Sequence, residues 1–135
     1  MTIYAGLSKG LIINTPFIDW ILEGRKTWEL RSQATQQRGP IALIQKGTGM
    51  VMGVARLVDS TGPMTDVEMA ASGHLHAVTP ERLKLPEVAK YRHAWVLADA
   101  RRLPKPVAYV HPAGAVKWVT LAPAVAQAVI AAAAG

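Results

Sequence analysis

Cysteine is absent from the chain, which removes a disulfide framework, a thiolate zinc site and a cysteine nucleophile together and leaves no sign of an oxidising compartment. Acid is scarce: nine Asp and Glu stand against 15 Lys and Arg, a formal charge of +6. That balance favours anionic partners such as nucleic acid, although a protein that is basic for no specific purpose carries it too. Long apolar runs are also missing. The stretches 41–44, 51–58 and 122–134 all fall short of the ~20 residues a helix needs to cross a bilayer, so no membrane partner is expected. Residues 1–6 lack a charged segment followed by an apolar one, so no signal peptide and a cytoplasmic address are expected. At 135 residues the sequence reads as a single domain, with a core over 7–121 and an Ala-rich helix or tail over 122–135.

What is present concentrates in Gly24-Arg25-Lys26-Thr27-Trp28-Glu29-Leu30-Arg31. Upstream, Thr15 is placed to cap a helix with Pro16 in its first turn and Phe17, Ile18, Ile21 and Leu22 as its buried stripe. Gly24 stops that helix, because glycine accepts the left-handed turn that a side chain resists, and Arg25 and Lys26 fall in the connection. From Thr27 the pattern alternates, with Trp28 and Leu30 on one face and Thr27, Glu29 and Arg31 on the other. A hydroxyl, an acid and a guanidinium thus share a short strand beside the Lys26 amine. Between residues 25 and 56 Glu29 is the lone acid among Arg25, Lys26, Arg31, Arg38, Lys46 and Arg56, so a basic face is expected around the Lys26 loop.

The rest of the chain supplies strands and short helices. Residues 7–14 read as a first strand, apolar on both faces at Leu11-Ile12-Ile13, and 41–45 and 50–59 read as an antiparallel hairpin joined through Lys46-Gly47-Thr48-Gly49. The polar loop 32–39 is expected to rim or cover the site. Thr65-Asp66-Val67-Glu68 is a capping box opening a helix that ends near Gly73. A further helix starts at Pro80 or Pro86 and ends near Tyr91; 93–103 is a strand stopped by Pro104-Lys105-Pro106; 116–121 is the last strand. Strand and helix do not alternate regularly, so an α+β, mainly β fold is expected: a small mixed sheet curled into a barrel with short flanking helices. The tail from Pro123 is expected to pack on the barrel or on a second subunit, which would make a dimer, or to fray.

Alternatives stand beside each candidate. Lys26 serves as nucleophile or base if desolvated, with Glu29 orienting it and Thr27 positioning a substrate; in the plainer reading it meets phosphate or solvent while Glu29 and Arg31 pair on a barrel strand. His74 and His76 sharing a strand face, with His93 or His111, would make a metal site; no Asp or Glu sits at a ligand spacing beside them, and no metal is expected. Gly47-x-Gly49 is too short for a phosphate-binding signature, and no cofactor is expected. Trp28 and Trp95 read as core, whereas Trp118, next to Lys117, reads either as core or as a stacking platform for a base.

The run Gly24, Lys26, Thr27, Glu29, Arg31 resembles the ASCH domain family, a PUA-like β-barrel. So do 39–44, Gly53-Val54-Ala55 leading to Asp59, and, more weakly, Trp95-Val96-Leu97 with 103–107; together the likeness spans most of 7–121. It implies recognition of RNA or a modified nucleoside in a basic cleft formed by Arg25, Lys26, Arg31, Arg38, Lys46 and Trp118. It also implies an alternative in which Lys26, with Glu29 and Thr27, serves a hydrolase of acetylated cytidine or of single-stranded RNA. Family enzymes of the first kind carry a threonine where this chain has Glu29. A third class is a small module whose basic surface meets an acidic protein.

Overall fold

The computed structural model describes residues 2–134. Among them lie the strands β1 (Lys9–Ile13), β2 (Trp28–Arg31), β3 (Gly39–Gln45), β4 (Met50–Thr61), β5 (His93–Ala108) and β6 (Trp118–Thr120), and the helices α1 (Phe17–Leu22), α2 (Asp66–Ala71), α3 (Gly73–His76), α4 (Pro80–Leu83) and α5 (Pro123–Ala134). The strands form one six-stranded sheet in the order β2-β5-β4-β3-β1-β6. β1 and β3 are parallel and the other neighbours antiparallel. The sheet curls into a half-barrel, and its β2 edge is tied back to β1 by Arg31, whose guanidinium donates to the Ile12 carbonyl at 3.0 Å. This is the α+β, mainly β arrangement of a curled mixed sheet with short flanking helices expected from the sequence.

Strand alternation builds two cores. Leu11, Ile13, Ile41, Leu43, Leu57 and Trp95 face α1, whereas Ile12, Ala42, Ile44, Val51 and Val54 face α5. This explains why Leu11-Ile12-Ile13 of β1 and Ile41-Ala42-Leu43-Ile44 of β3 are apolar at consecutive positions. The tail helix α5 buries Ala126, Val129 and Ala133 on the sheet, so it packs rather than frays. The expected hairpin forms, with Gln45 opposite Met50, and so does the capping box, with Thr65 accepting from the Glu68 N–H at 3.2 Å and Glu68 accepting from the Thr65 N–H at 3.1 Å.

Several local expectations are corrected. Thr15 does not cap α1; the first turn is closed by the Ile18 N–H to the Asn14 carbonyl and the Trp20 N–H to the Pro16 carbonyl, both at 3.1 Å. The prolines at 104 and 106 do not end β5. The register jumps there from Gly53 opposite Arg102 to Val51 opposite Val107, so both prolines sit in a bulge where no ladder N–H is required. The helix from Pro80 stops at Leu83, short of Tyr91. His74 and His76 do not share a strand face, because they lie in the single turn of α3.

Candidate functional site

Gly24, at φ +80°, turns the chain out of α1, and the N–H groups of Arg25 and Lys26 both donate to the Trp20 carbonyl, at 2.9 and 3.1 Å. This tight turn separates the two cations. Arg25 is exposed and lies over the Trp20 ring, 4.4 Å from its centroid. Lys26 points inward and is only 2% exposed.

The Lys26 amine donates to the His76 carbonyl at 2.7 Å and lies 3.7 Å from Glu29 Oε1. Glu29, 7% exposed, accepts from the Arg31 guanidinium at 2.9 Å through its other oxygen. One buried carboxylate therefore holds two cations, and each cation has a backbone carbonyl besides, so the set is paired as buried charge requires. Burial pushes the Lys26 pKa below the ordinary lysine value, the charges of Arg31 and Arg82 add to that, and Glu29 opposes it. The His76 ring is committed: Nδ1 accepts from the Val78 N–H at 2.9 Å, so Nε2 carries the proton and bonds the Met69 carbonyl at 2.7 Å. Its pKa is lowered by burial, and the neutral ring supports the carbonyl that receives Lys26 without being free to bind a metal.

Lys26, Glu29 and Arg31 form the floor of a cavity of about 300 Å³. Phe17, Leu30, Val88 and Tyr91 line its walls, and the exposed Lys46 and Arg82 stand at its mouth. A larger cavity of about 480 Å³ lies between α2 and the segment following α4, with Val88 common to both. Met69, Leu83 and Val88 line it with the Asp66–Arg92 ion pair, but no buried titratable group reaches it, so the chemistry belongs to the smaller one.

Lys26, Glu29, Arg31 and Lys46 are thus brought together, whereas four other candidates are not. Thr27 is exposed and spends its backbone groups pinning the start of β2, donating to Leu75 and accepting from Leu97. Arg25 is turned away. Arg38 is exposed, bonds the Thr35 and Gln37 carbonyls and lies 3.9 Å from Asp59. Trp118 is half-buried and stacked on Trp95 at 5.8 Å between centroids, which is the core reading of that residue. The loop 32–39 contributes no lining residue; the Gln33 carbonyl instead accepts from the Trp95 indole N–H at 2.9 Å. Arg82, Val88, Tyr91 and Val116 line the cavity in its place. Sequence reasoning left these unassigned to the site; the signal available was a proline-punctuated connection, the kind of segment that carries function on a rigid scaffold.

The ASCH domain family model matches residues 11–107. Among solved structures, the crystal structure of ASCH from Zymomonas mobilis has a TM-score of 0.67 at 15% identity, covering 91% of this chain and 93% of that one. A serine-to-alanine mutant of the same Zymomonas mobilis protein gives 0.65 at 16% identity, covering 96% of this chain and 98% of that chain. A tyrosine-to-phenylalanine mutant gives 0.64 at 17%, covering 91% and 96%. At such identities the likeness is one of fold alone. No curated protein matches the sequence.

Proposed function

The chain belongs to the ASCH domain family, and on that premise we propose that the cavity floored by Lys26, Glu29 and Arg31 receives one nucleoside unit, of a single-stranded RNA or of a free modified nucleoside. The observation that carries this reading is a buried lysine–glutamate pair, joined by the half-buried Arg31, in the lining of a concave site. Charges withdrawn from water cost stability, and a sequence that only needed a folded barrel would do as well with apolar residues there. At about 300 Å³ the space suits a single nucleoside and not a duplex, whose base edges are in any case hidden. Tyr91 offers an aromatic wall to a base, and such stacking contributes about 1–3 kcal/mol per base. Glu29 keeps lone pairs for a base N–H, and Lys26 and Arg31 supply donors beside it.

Hydrolysis is the second reading, favoured by the lowered pKa of Lys26. Lowering raises the share of neutral amine near pH 7, the form able to act as base or nucleophile. With acetylated cytidine as substrate, Lys26 would take a proton from the attacking water, the amide C–N bond would break, and the proton would pass to the departing exocyclic amine, with Glu29 holding the lysine in register.

Lys26→Ala separates the readings, because Arg31 still pairs with Glu29 and the fold survives the change. In a binding module the wild type binds nucleosides or single-stranded RNA without turnover and the variant binds more weakly. In a hydrolase the variant loses turnover while keeping measurable affinity, since the lost interaction belongs to the transition state. A wild type that binds no nucleoside and no single-stranded RNA by calorimetry overturns both.

A further inference from the structure

The residues lining the cavity carry four cations, Lys26, Arg31, Lys46 and Arg82, and a single carboxylate, Glu29. They divide by depth. Lys26 and Arg31 are withdrawn from solvent and committed to Glu29 and to the carbonyls of His76 and Ile12. Lys46 and Arg82 are exposed, and among the described residues neither has a carboxylate within 4.0 Å. The two mouth cations come from different walls: Lys46 from the β3–β4 turn, its N–H fixed to the Ile13 carbonyl at 3.0 Å, and Arg82 from α4, its N–H fixed to Thr79 Oγ1 at 3.3 Å. The Arg82 guanidinium lies over the Phe17 ring, 5.2 Å from the centroid. A stacked guanidinium loses little freedom when it binds and keeps its N–H edge for a bidentate acceptor.

We propose that Lys46 and Arg82 form a phosphate subsite at the mouth of the cavity, so that the ligand is a nucleoside carrying a phosphate group and not a bare nucleoside. This rests on the nucleoside reading of the floor and deepens it. The floor is too committed to clamp a phosphate, and the mouth cations meet no carboxylate among the described residues. A phosphate there leaves the base to Tyr91 and to Glu29. The same chemistry is offered by a free mononucleotide and by a nucleotide within a single strand. The charge of Arg82 is also one of those holding the Lys26 pKa down; a bound phosphate offsets it and so raises the Lys26 pKa, a change visible by NMR.

Calorimetric titration of the intact protein at fixed ionic strength tests the subsite, using the four ribonucleosides, their 5′- and 3′-monophosphates and a single-stranded trinucleotide. A monophosphate of either series, or the trinucleotide, should bind at least about ten-fold more tightly than its nucleoside, the increment of one charge-assisted contact. Lys46→Ser and Arg82→Ser should each close most of that gap. Lys105→Ser, an exposed cation outside the cavity, should not. Equal affinity for nucleoside and nucleotide overturns the subsite and leaves the nucleoside reading standing. So does a gap that Lys105→Ser closes as well as the other two, since net charge would then account for it. Absence of binding by every probe overturns both the subsite and the reading beneath it.

Discussion

Glu29→Gln is the most informative substitution in the floor, because this one carboxylate stands between a buried lysine and a half-buried arginine. The amide keeps the shape and an acceptor but removes the charge. Removing one partner of a buried pair costs about 3–5 kcal/mol. The low end applies here, because Lys26 retains the His76 carbonyl and Arg31 the Ile12 carbonyl. In a domain of this size about 3 kcal/mol corresponds to a fall of roughly 10 °C in Tm. The variant therefore stays folded at 25 °C and melts earlier. Its pH dependence carries a second signature. Both contributions of Glu29 raise the Lys26 pKa, so their loss drives it further below the ordinary value of 10.5. Between that lowered pKa and 10.5 the unfolded chain binds more protons than the folded one, so stability rises with pH across the window. The rise should be steeper and begin at lower pH in Glu29→Gln than in wild type, and the deficit between them should shrink as pH increases. Thermal melts by circular dichroism from pH 6 to 10 measure both effects. A variant melting within about 1 °C of wild type throughout would mean that Glu29 is a solvated strand carboxylate and that the floor is misassigned.

Two further outcomes test the scaffold and the partner. Gly53→Ala should lower stability by about 1–3 kcal/mol, because a Cβ there would lie 2.7 Å from the Arg101 carbonyl oxygen and overlap the Leu22 side chain; Gly73→Ala, which meets nothing within 4 Å, is the tolerated control, and equal melting of the two would contradict the close seating of α1 on β4. If Lys46 and Arg82 together neutralise one phosphate of a single-stranded RNA, log affinity should fall against log salt with a slope of about −0.7, and a flat response excludes phosphate contacts.

Local chemistry was the legible part of the sequence. The Gly24 stop, the 46–49 turn and the Thr65 capping box depend on residues within a few positions of one another, and all three form. Period-two alternation placed Glu29 and Arg31 together, and the run Leu11-Ile12-Ile13 announced a strand buried on both faces. The mouth was not legible, because Arg82 and Tyr91 come from a connection more than 50 residues from Lys26, and which loop reaches the floor is decided by tertiary closure. The acceptor of Lys26 is a backbone carbonyl, which no side-chain pattern encodes. The continuation of β5 past its prolines was hidden for a related reason: a proline reads as a stop until the neighbouring strand supplies a bulge that asks nothing of its nitrogen.

The central claim is that a nucleoside unit enters the Lys26 cavity, and the most direct measurement is an amide NMR titration of the ¹⁵N-labelled chain with a ribonucleoside monophosphate. The expected shifts fall on Lys26, Glu29, Arg31, Arg82 and Tyr91 and saturate together with one affinity. Saturating shifts confined to the far part of β5, at Arg102 and Lys105, or no shifts at millimolar ligand, would contradict it.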